Sequence, residues 1–238
     1  MGLTELWASQ FPTWEKALEF LTTKIEDIGI ITIFNSVVEN NTNRKLNVED
    51  CRGFVLVDDL SPFMFINAAD GKAAQMFTIV HELAHIWTGQ SAGFDFRQLT
   101  PADEPIELLC DKVAAELLVP KEPFIVEWSH NPNIKYLSQV FKVSPIVIAR
   151  RALDLGLIEK AQFFQFYNSY IEELRLKKEK QSGGGDFYAT AKKRISLTFA
   201  SHVNNAVKSN QLLYRDANKL TGLKGDTYQK FLTKHLSQ

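Results

Sequence analysis

Several features that mark common protein classes are missing from this chain of 238 residues. It has only 12 glycines and 8 prolines, which excludes collagen and other low-complexity architectures. No run of about 18 apolar residues occurs, so a membrane-spanning helix is not expected. Hydrophobic residues make up 45% of the chain and charged residues 23%, as in globular proteins, which argues against a wholly disordered chain.

Cysteine is also scarce, since the chain has only Cys51 and Cys110. The first residues, MGLTELWASQFPTWEK, lack the basic start and apolar segment of a secretion signal. Two cysteines without such a signal are typical of free thiols in a reducing compartment. We therefore expect a cytoplasmic protein that has no disulfide framework and does not act at a membrane.

Charge is unevenly distributed along the chain. Residues 1–171 hold 14 lysines and arginines against 22 acidic residues, a net charge of −8, and residues 172–238 hold 13 against 6, a net charge of +7. A basic segment of this kind can bind nucleic acid or an acidic partner. Because its basic residues are scattered over predicted helices, we interpret them as solvated or as facing the acidic half. Direct binding of nucleic acid is therefore not favoured.

Hydrophobic periodicity predicts an α+β fold, with a mixed first part and a helical second part. Three β-rich runs predict the strands of one small, mostly antiparallel sheet: 30–38, 54–57 and 63–67. Apolar residues at helical spacing predict helices around and after this sheet: 11–27, a segment ending at Gly89, 104–119, two short helices within 132–158, and 159–180.

These patterns predict three regions. Residues 1–28 form an N-terminal helical extension, 29–158 form the mixed α+β domain, and 159–238 form a helical C-terminal region. A polar loop is predicted over 89–103, and the run QSGGGD at 181–186 predicts a flexible joint. Two or three further helices are expected after residue 187.

The segment His81-Glu82-Leu83-Ala84-His85 is an H-E-x-x-H motif within a predicted helix. Helical spacing places His81 and His85 on one face, one turn apart, so both imidazoles can reach one metal ion. Glu82 lies about 100° around the helix, where it can reach a water bound to that ion. This is the arrangement of a metal-activated water with its general base.

Chance is a poor explanation of this motif. Random placement gives about 0.007 such motifs per chain. The flanks FTIV and IW are strongly apolar, so the helix is expected to be buried. Two buried imidazoles and a buried carboxylate are costly unless they have partners, and a metal ion would satisfy them.

A catalytic zinc site needs a third protein ligand and leaves its fourth position to water. The downstream candidates are Glu104, Glu107, Glu116 and His130. Glu107 and Asp111 are spaced i, i+4 and share one face of the predicted helix 104–119. We therefore assign Glu107 as the third ligand. Asp111 is then expected to accept a hydrogen bond from the second ring nitrogen of a ligating histidine and so orient it.

The segments FTIVHELAHIW and ELLCDKVAAELLVP, which ends at Pro120, resemble the ImmA/IrrE family of metallopeptidases. The preceding RGFVLVDDLSPFMFINAADGKAAQMFT is also similar to that family, and the resemblance covers roughly residues 29–158. GGGDFY and the helices after it resemble the tails of phage-associated members. Asp111 stands where the family often has asparagine, and no N-terminal repressor-like domain fits before residue 29.

The resemblance implies a zincin-like fold and cytoplasmic, zinc-dependent cleavage of helix-turn-helix repressors of the Xre type, from mobile elements or stress regulons. It also implies Glu107 as a ligand and a helix-turn-helix-like unit at 132–158, for which we favour a packing role over DNA reading. By resemblance to zincins, the run 63–67 is expected to flank the cleft as an edge strand that pairs with an extended substrate. The alternative is an interior strand that is already paired on both sides.

We therefore predict a zinc endopeptidase in which Glu82 is the catalytic base, His81, His85 and Glu107 hold Zn²⁺, and Asp111 orients a ligand. Two alternatives belong to other classes. One is a metal-containing regulator that binds a repressor or a toxin–antitoxin partner without cleaving it. The other is a DNA-binding protein acting through residues 135–157, with a structural metal site.

Overall fold

The computed structural model describes residues 1–38, 41, 43–89, 105–178, 194–223 and 225–236. The sheet contains β1 (Ile31–Asn35), β2 (Gly53–Leu56) and β3 (Phe63–Asn67). A short 3-10 helix covers Trp7–Gln10. The α-helices are α1 (Trp14–Asp27), α2 (Lys72–Trp87), α3 (Pro105–Leu118), α4 (Lys121–His130), α5 (Ile134–Phe141), α6 (Pro145–Asp154), α7 (Lys160–Lys178), α8 (Leu197–Lys208), α9 (Tyr214–Thr221) and α10 (Asp226–Leu236).

The predicted mixed α+β fold is confirmed, but the sheet differs from the prediction in two ways. The strand order is β1-β3-β2, with β1 parallel and β2 antiparallel to β3, so the sheet is mixed rather than mostly antiparallel. After β1 the chain runs in the opposite direction through β2 and then reverses again into β3. Strand β3 therefore runs in the same direction as β1. The expectation that 63–67 is an edge strand is wrong, because this strand is paired on both sides.

The sheet and α1 enclose α2, which is the most buried helix of this region. Helix α2 packs against α1, α3, β2 and β3. Its residues from Met76 to His85 are almost all buried, and Ile79 and Leu83 are completely so. A helix that is hydrophobic on all sides belongs in a core, and here it carries the H-E-x-x-H motif into the interior.

Helices α3 to α7 follow the predicted pattern with one addition. Helix α4 was not predicted, because Pro120 and Pro123 look like helix breakers in the sequence. Pro120 is the N-cap of α4 and Pro123 lies in its first turn, where proline is tolerated. The split between α5 and α6 is confirmed: Lys142 adopts a left-handed conformation, and the side chain of Ser144 caps α6.

The described residues form two hydrophobic clusters. The larger one combines residues of the predicted N-terminal extension, such as Trp7 and Leu21, with the sheet and helices α2 to α6. The smaller one lies within α8 to α10 and the residues beside them. The described helices include none that is both long and apolar enough to cross a membrane. Most of the predicted loop 89–103 and the whole predicted joint 181–186 lie outside the described residues.

Candidate metal centre

The second half of α2 carries the three residues of the predicted motif side by side. His81 is 8% exposed, His85 2% and Glu82 0%. The helix is anchored at its start by Gln75, whose side-chain amide donates to the backbone oxygens of Ala68 and Asp70. Helix α3 packs along α2 and brings Glu107 towards the two histidines.

The side chains of three potential ligand residues converge on one point. His81 Nε2 lies 3.1 Å from Glu107 Oε2 and 3.1 Å from His85 Nε2, and His85 Nε2 lies 3.2 Å from Glu107 Oε1. Ligand atoms around a tetrahedral zinc, each about 2.0–2.1 Å from the ion, lie roughly 3.3 Å apart. His81, His85 and Glu107 therefore have the donor types and the spacing to hold such an ion.

Asp111 contacts the other ring nitrogen of His81, one helical turn beyond Glu107. The distance from Asp111 Oδ1 to His81 Nδ1 is 2.9 Å. Burial alone would lower the pKa of His81, but the hydrogen bonds with Asp111 and Glu107 outweigh burial and raise this pKa to about 10. The hydrogen bond with His81 in turn lowers the pKa of Glu107. Asp111 thus holds the His81 ring with Nε2 directed towards the cluster.

Glu82 is buried beside this cluster without a polar contact. Neither of its carboxylate oxygens has a hydrogen-bond partner among the described residues. Burial raises the pKa of Glu82 to about 7, although the nearby charge of His81 acts in the opposite direction. A buried and unpaired carboxylate is costly. A water held between Glu82 and the cluster would give it a hydrogen-bond partner.

Gly53 at the start of β2 shapes the wall next to Glu82, and the sequence did not indicate this role. A Cβ atom at this position would lie 2.7 Å from Thr78 Cγ2 and 3.3 Å from Glu82 Cγ. The segment before β2 is held by Asn67, whose side chain donates to the Cys51 oxygen over 2.8 Å. A glycine at a close approach of strand and helix is recognisable only when the packing is known.

Two of the remaining candidate ligands, Glu116 and His130, do not join the cluster. Glu116 pairs with Arg151 and accepts a hydrogen bond from the backbone of Lys121. His130 is exposed at the end of α4. Glu104 lies outside the described residues.

Cys110 is close to the cluster but is poorly suited to be a ligand. It is completely buried on α3, one turn after Glu107. Burial and the charge of Glu107 raise the pKa of this thiol to about 11, which keeps it protonated. Cys110 is also not part of the group of potential ligands that His81, His85 and Glu107 form among the described residues.

Comparison with known proteins supports this assignment. The family model for the IrrE N-terminal-like domain matches residues 25–153, which include the whole cluster. A second model, a domain of unknown function (DUF8813), matches residues 195–234. No curated protein and no solved structure matches the chain. With more than half of its length matched and a His-His-Glu group in place, the chain belongs to the IrrE N-terminal-like family of metallopeptidases.

Proposed function

We propose that the protein is a zinc-dependent endopeptidase in which His81, His85 and Glu107 hold the ion and Glu82 transfers protons. The observation that carries this proposal is the position of Glu82. It is a completely buried carboxylate with no hydrogen-bond partner among the described residues, next to three potential ligand residues whose polar atoms approach to 3.1–3.2 Å. A purely structural metal site would not need such a carboxylate.

A bound zinc ion supplies Lewis acidity, which makes water a stronger acid and polarises a peptide carbonyl. Glu82 then accepts the proton of the attacking water and delivers it to the nitrogen of the leaving amine. Burial keeps bulk water from competing for that proton.

Asp111 supports the reaction through His81. Asp111 accepts a hydrogen bond from the Nδ1–H group of His81, which leaves Nε2 as the nitrogen available to the metal. Glu107 contributes a negative charge that balances the dication. Because Glu107 and Asp111 lie one turn apart on α3, a single helix supplies the third ligand and the residue that orients the first.

The proposed substrate is a helix-turn-helix repressor of the Xre type, encoded by a mobile element or a stress regulon. The family implies a protein substrate, and the resemblance to ImmA/IrrE metallopeptidases supports this class of repressor. A folded repressor has few extended segments, so we expect cleavage in a loop or in a locally opened segment.

The test compares the parent chain with Glu82→Gln, His85→Ala and the control Glu122→Gln, which alters an exposed residue of α4. Candidate repressors encoded beside the gene are incubated with each variant, and zinc is measured by plasma mass spectrometry. The parent and the control should hold about one zinc per chain and cleave a repressor. Glu82→Gln should keep the zinc and lose cleavage, whereas His85→Ala should lose both.

Two results would contradict this mechanism. Full cleavage by Glu82→Gln would remove Glu82 from the reaction. A repressor that binds tightly to the zinc-loaded parent but is never cut would favour the regulator without proteolysis.

A further inference from the structure

The last two described helices, α9 and α10, are joined by a short connection. We call residues 195–236 the C-terminal unit. Helix α9 ends at Gly222, which adopts a left-handed conformation with φ 67°, and only residues 222–225 separate it from α10. Thr221 fixes the turn, because its hydroxyl donates to the Ala217 oxygen and accepts from the Leu223 amide. A short glycine-containing connection of this kind also joins the two helices of a helix-turn-helix motif.

The C-terminal unit has its own hydrophobic core. The side chains of α10 that are buried in this core fix the opposite face of the helix as the one that points outward. Ala217, Leu223, Tyr228 and Phe231 are each at most 6% exposed. Both α9 and α10 pack on α8. The opposite side of α10 carries exposed polar residues at helical spacing: Gln229, Lys230, Thr233 and Lys234. This outward face contains no apolar side chain, which is unlike a surface that inserts into lipid.

The unit is also basic. Residues 195–236 contain six lysines and arginines and two aspartates, and the run Lys192-Lys193-Arg194 precedes them. One of the two aspartates, Asp216, lies 3.6 Å from Arg215. Lys230 and Lys234 are spaced i, i+4 and so lie on one side of α10. Charge of this sign on an exposed helix complements the phosphate backbone of DNA.

The earlier helix pair, α5 and α6, uses both arginines of its second helix within the protein. Arg151 of α6 is buried, where its side chain donates to the Val119 oxygen and pairs with Glu116. Arg150 pairs with Asp154 over 2.9 Å on the same helix. Both arginines of the second helix are therefore engaged within the protein, which agrees with a packing role for residues 135–157.

We propose, contrary to the expectation from the sequence, that the C-terminal unit binds duplex DNA with α10 in the major groove. Gln229 and Thr233 face base edges, and Lys230 and Lys234 contact phosphates. This would bring the chain to the DNA on which a helix-turn-helix repressor is bound. The binding does not depend on the proposed peptidase function and can be measured without hydrolysis.

The experiment uses the full-length Glu82→Gln chain and a labelled duplex of mixed sequence, about 20 base pairs long or two helical turns. Fluorescence anisotropy should show binding with a Kd of roughly 10⁻⁴–10⁻⁶ M or tighter, and log K should fall linearly with log salt. Replacing Lys230 and Lys234 together by glutamine should reduce the slope of that line by about two. The matched control replaces Lys135 and Arg150 by glutamine and should leave the slope unchanged.

All four substituted residues are exposed, so circular dichroism should show unchanged helix content in every variant. Absence of binding at about 50 mM salt would overturn the proposal. So would a loss of binding that follows the control pair rather than the α10 pair, because DNA contact would then lie on α5 and α6. Binding to anionic vesicles or single-stranded RNA that excess duplex does not compete away would assign the basic face to another partner.

Discussion

Gly53→Ala should disturb both the stability and the activity of the protein, although it adds only one methyl group. The backbone of Gly53 does not require glycine for conformational reasons, since its φ lies outside the left-handed region. The obstacle is space. The new Cβ would lie 2.7 Å from Thr78 Cγ2, 3.0 Å from the Phe65 oxygen and 3.3 Å from Glu82 Cγ.

The Thr78 methyl group cannot simply rotate away, because the Thr78 hydroxyl donates to the Ala74 oxygen within α2. Either β2 or α2 must therefore move. Such overpacking costs about 1–3 kcal/mol. In a chain of this size each kcal/mol lowers the melting temperature by about 2–4 °C, so a loss of roughly 2–12 °C is expected. A shift of Glu82 by a fraction of an ångström should lower kcat about tenfold or more.

The variant Thr78→Ser provides the matched test, since it removes the methyl group and keeps the hydroxyl. Denaturant unfolding of the two single variants and the double variant gives a coupling free energy, which we expect to be about 1 kcal/mol in the direction of rescue. Repressor cleavage should recover partly in the double variant. Additive effects, or a Gly53→Ala protein as stable and active as the parent, would refute the steric argument.

Three further predictions follow from the same structure. Asp111→Ala should weaken zinc binding about 10–100-fold in a chelator competition, and unchanged affinity would contradict its orienting role. Glu107→Ala should lose zinc, whereas Glu116→Ala should keep zinc and lose only stability; the reverse result would reassign the third ligand. Burial raises the pKa of Glu26 above its ordinary value of 4.5, so the stability from its protonated form is complete below pH 4.5 and is lost as the pH rises through the raised pKa. Glu26→Gln should therefore raise the melting temperature at pH 7, and a decrease would contradict this reasoning.

The cluster was predictable because its spacing is set by the α-helix itself. Once residues 81–85 are helical, His81 and His85 must share a face, and the same holds for Glu107 and Asp111. Helical spacing does not specify that α3 packs against α2. This contact was inferred because both predicted helices are apolar and carry polar groups that could bind the same ion. Helical periodicity was therefore sufficient to predict which side chains of each helix share the face that forms the candidate site.

The sheet and its contacts were less predictable, because they depend on pairing between distant segments. The run 63–67 has the same five-residue pattern whether it lies at the edge of a sheet or in its centre, so the pattern could not specify its neighbours. Gly53 gave no signal for the same reason, since its contact with Thr78 exists only when β2 crosses α2. Helix α4 was not predicted because Pro120 and Pro123 suggested a break, but a helix tolerates proline at the N-cap and in the first turn.

The position of Arg151 explains why α5 and α6 belong to the structure that supports the metal centre. Its guanidinium holds the end of α3 through Glu116 and the Val119 oxygen. The same helix carries Glu107 and Asp111 at its start, and the small buried residues Cys110 and Ala114 let α3 lie close against α2. Arg151 on α6 thus holds the C-terminal end of α3, and the N-terminal end of the same helix carries the proposed ligand Glu107. The apparent helix-turn-helix of residues 135–157 is, in this arrangement, a support for the catalytic helix pair.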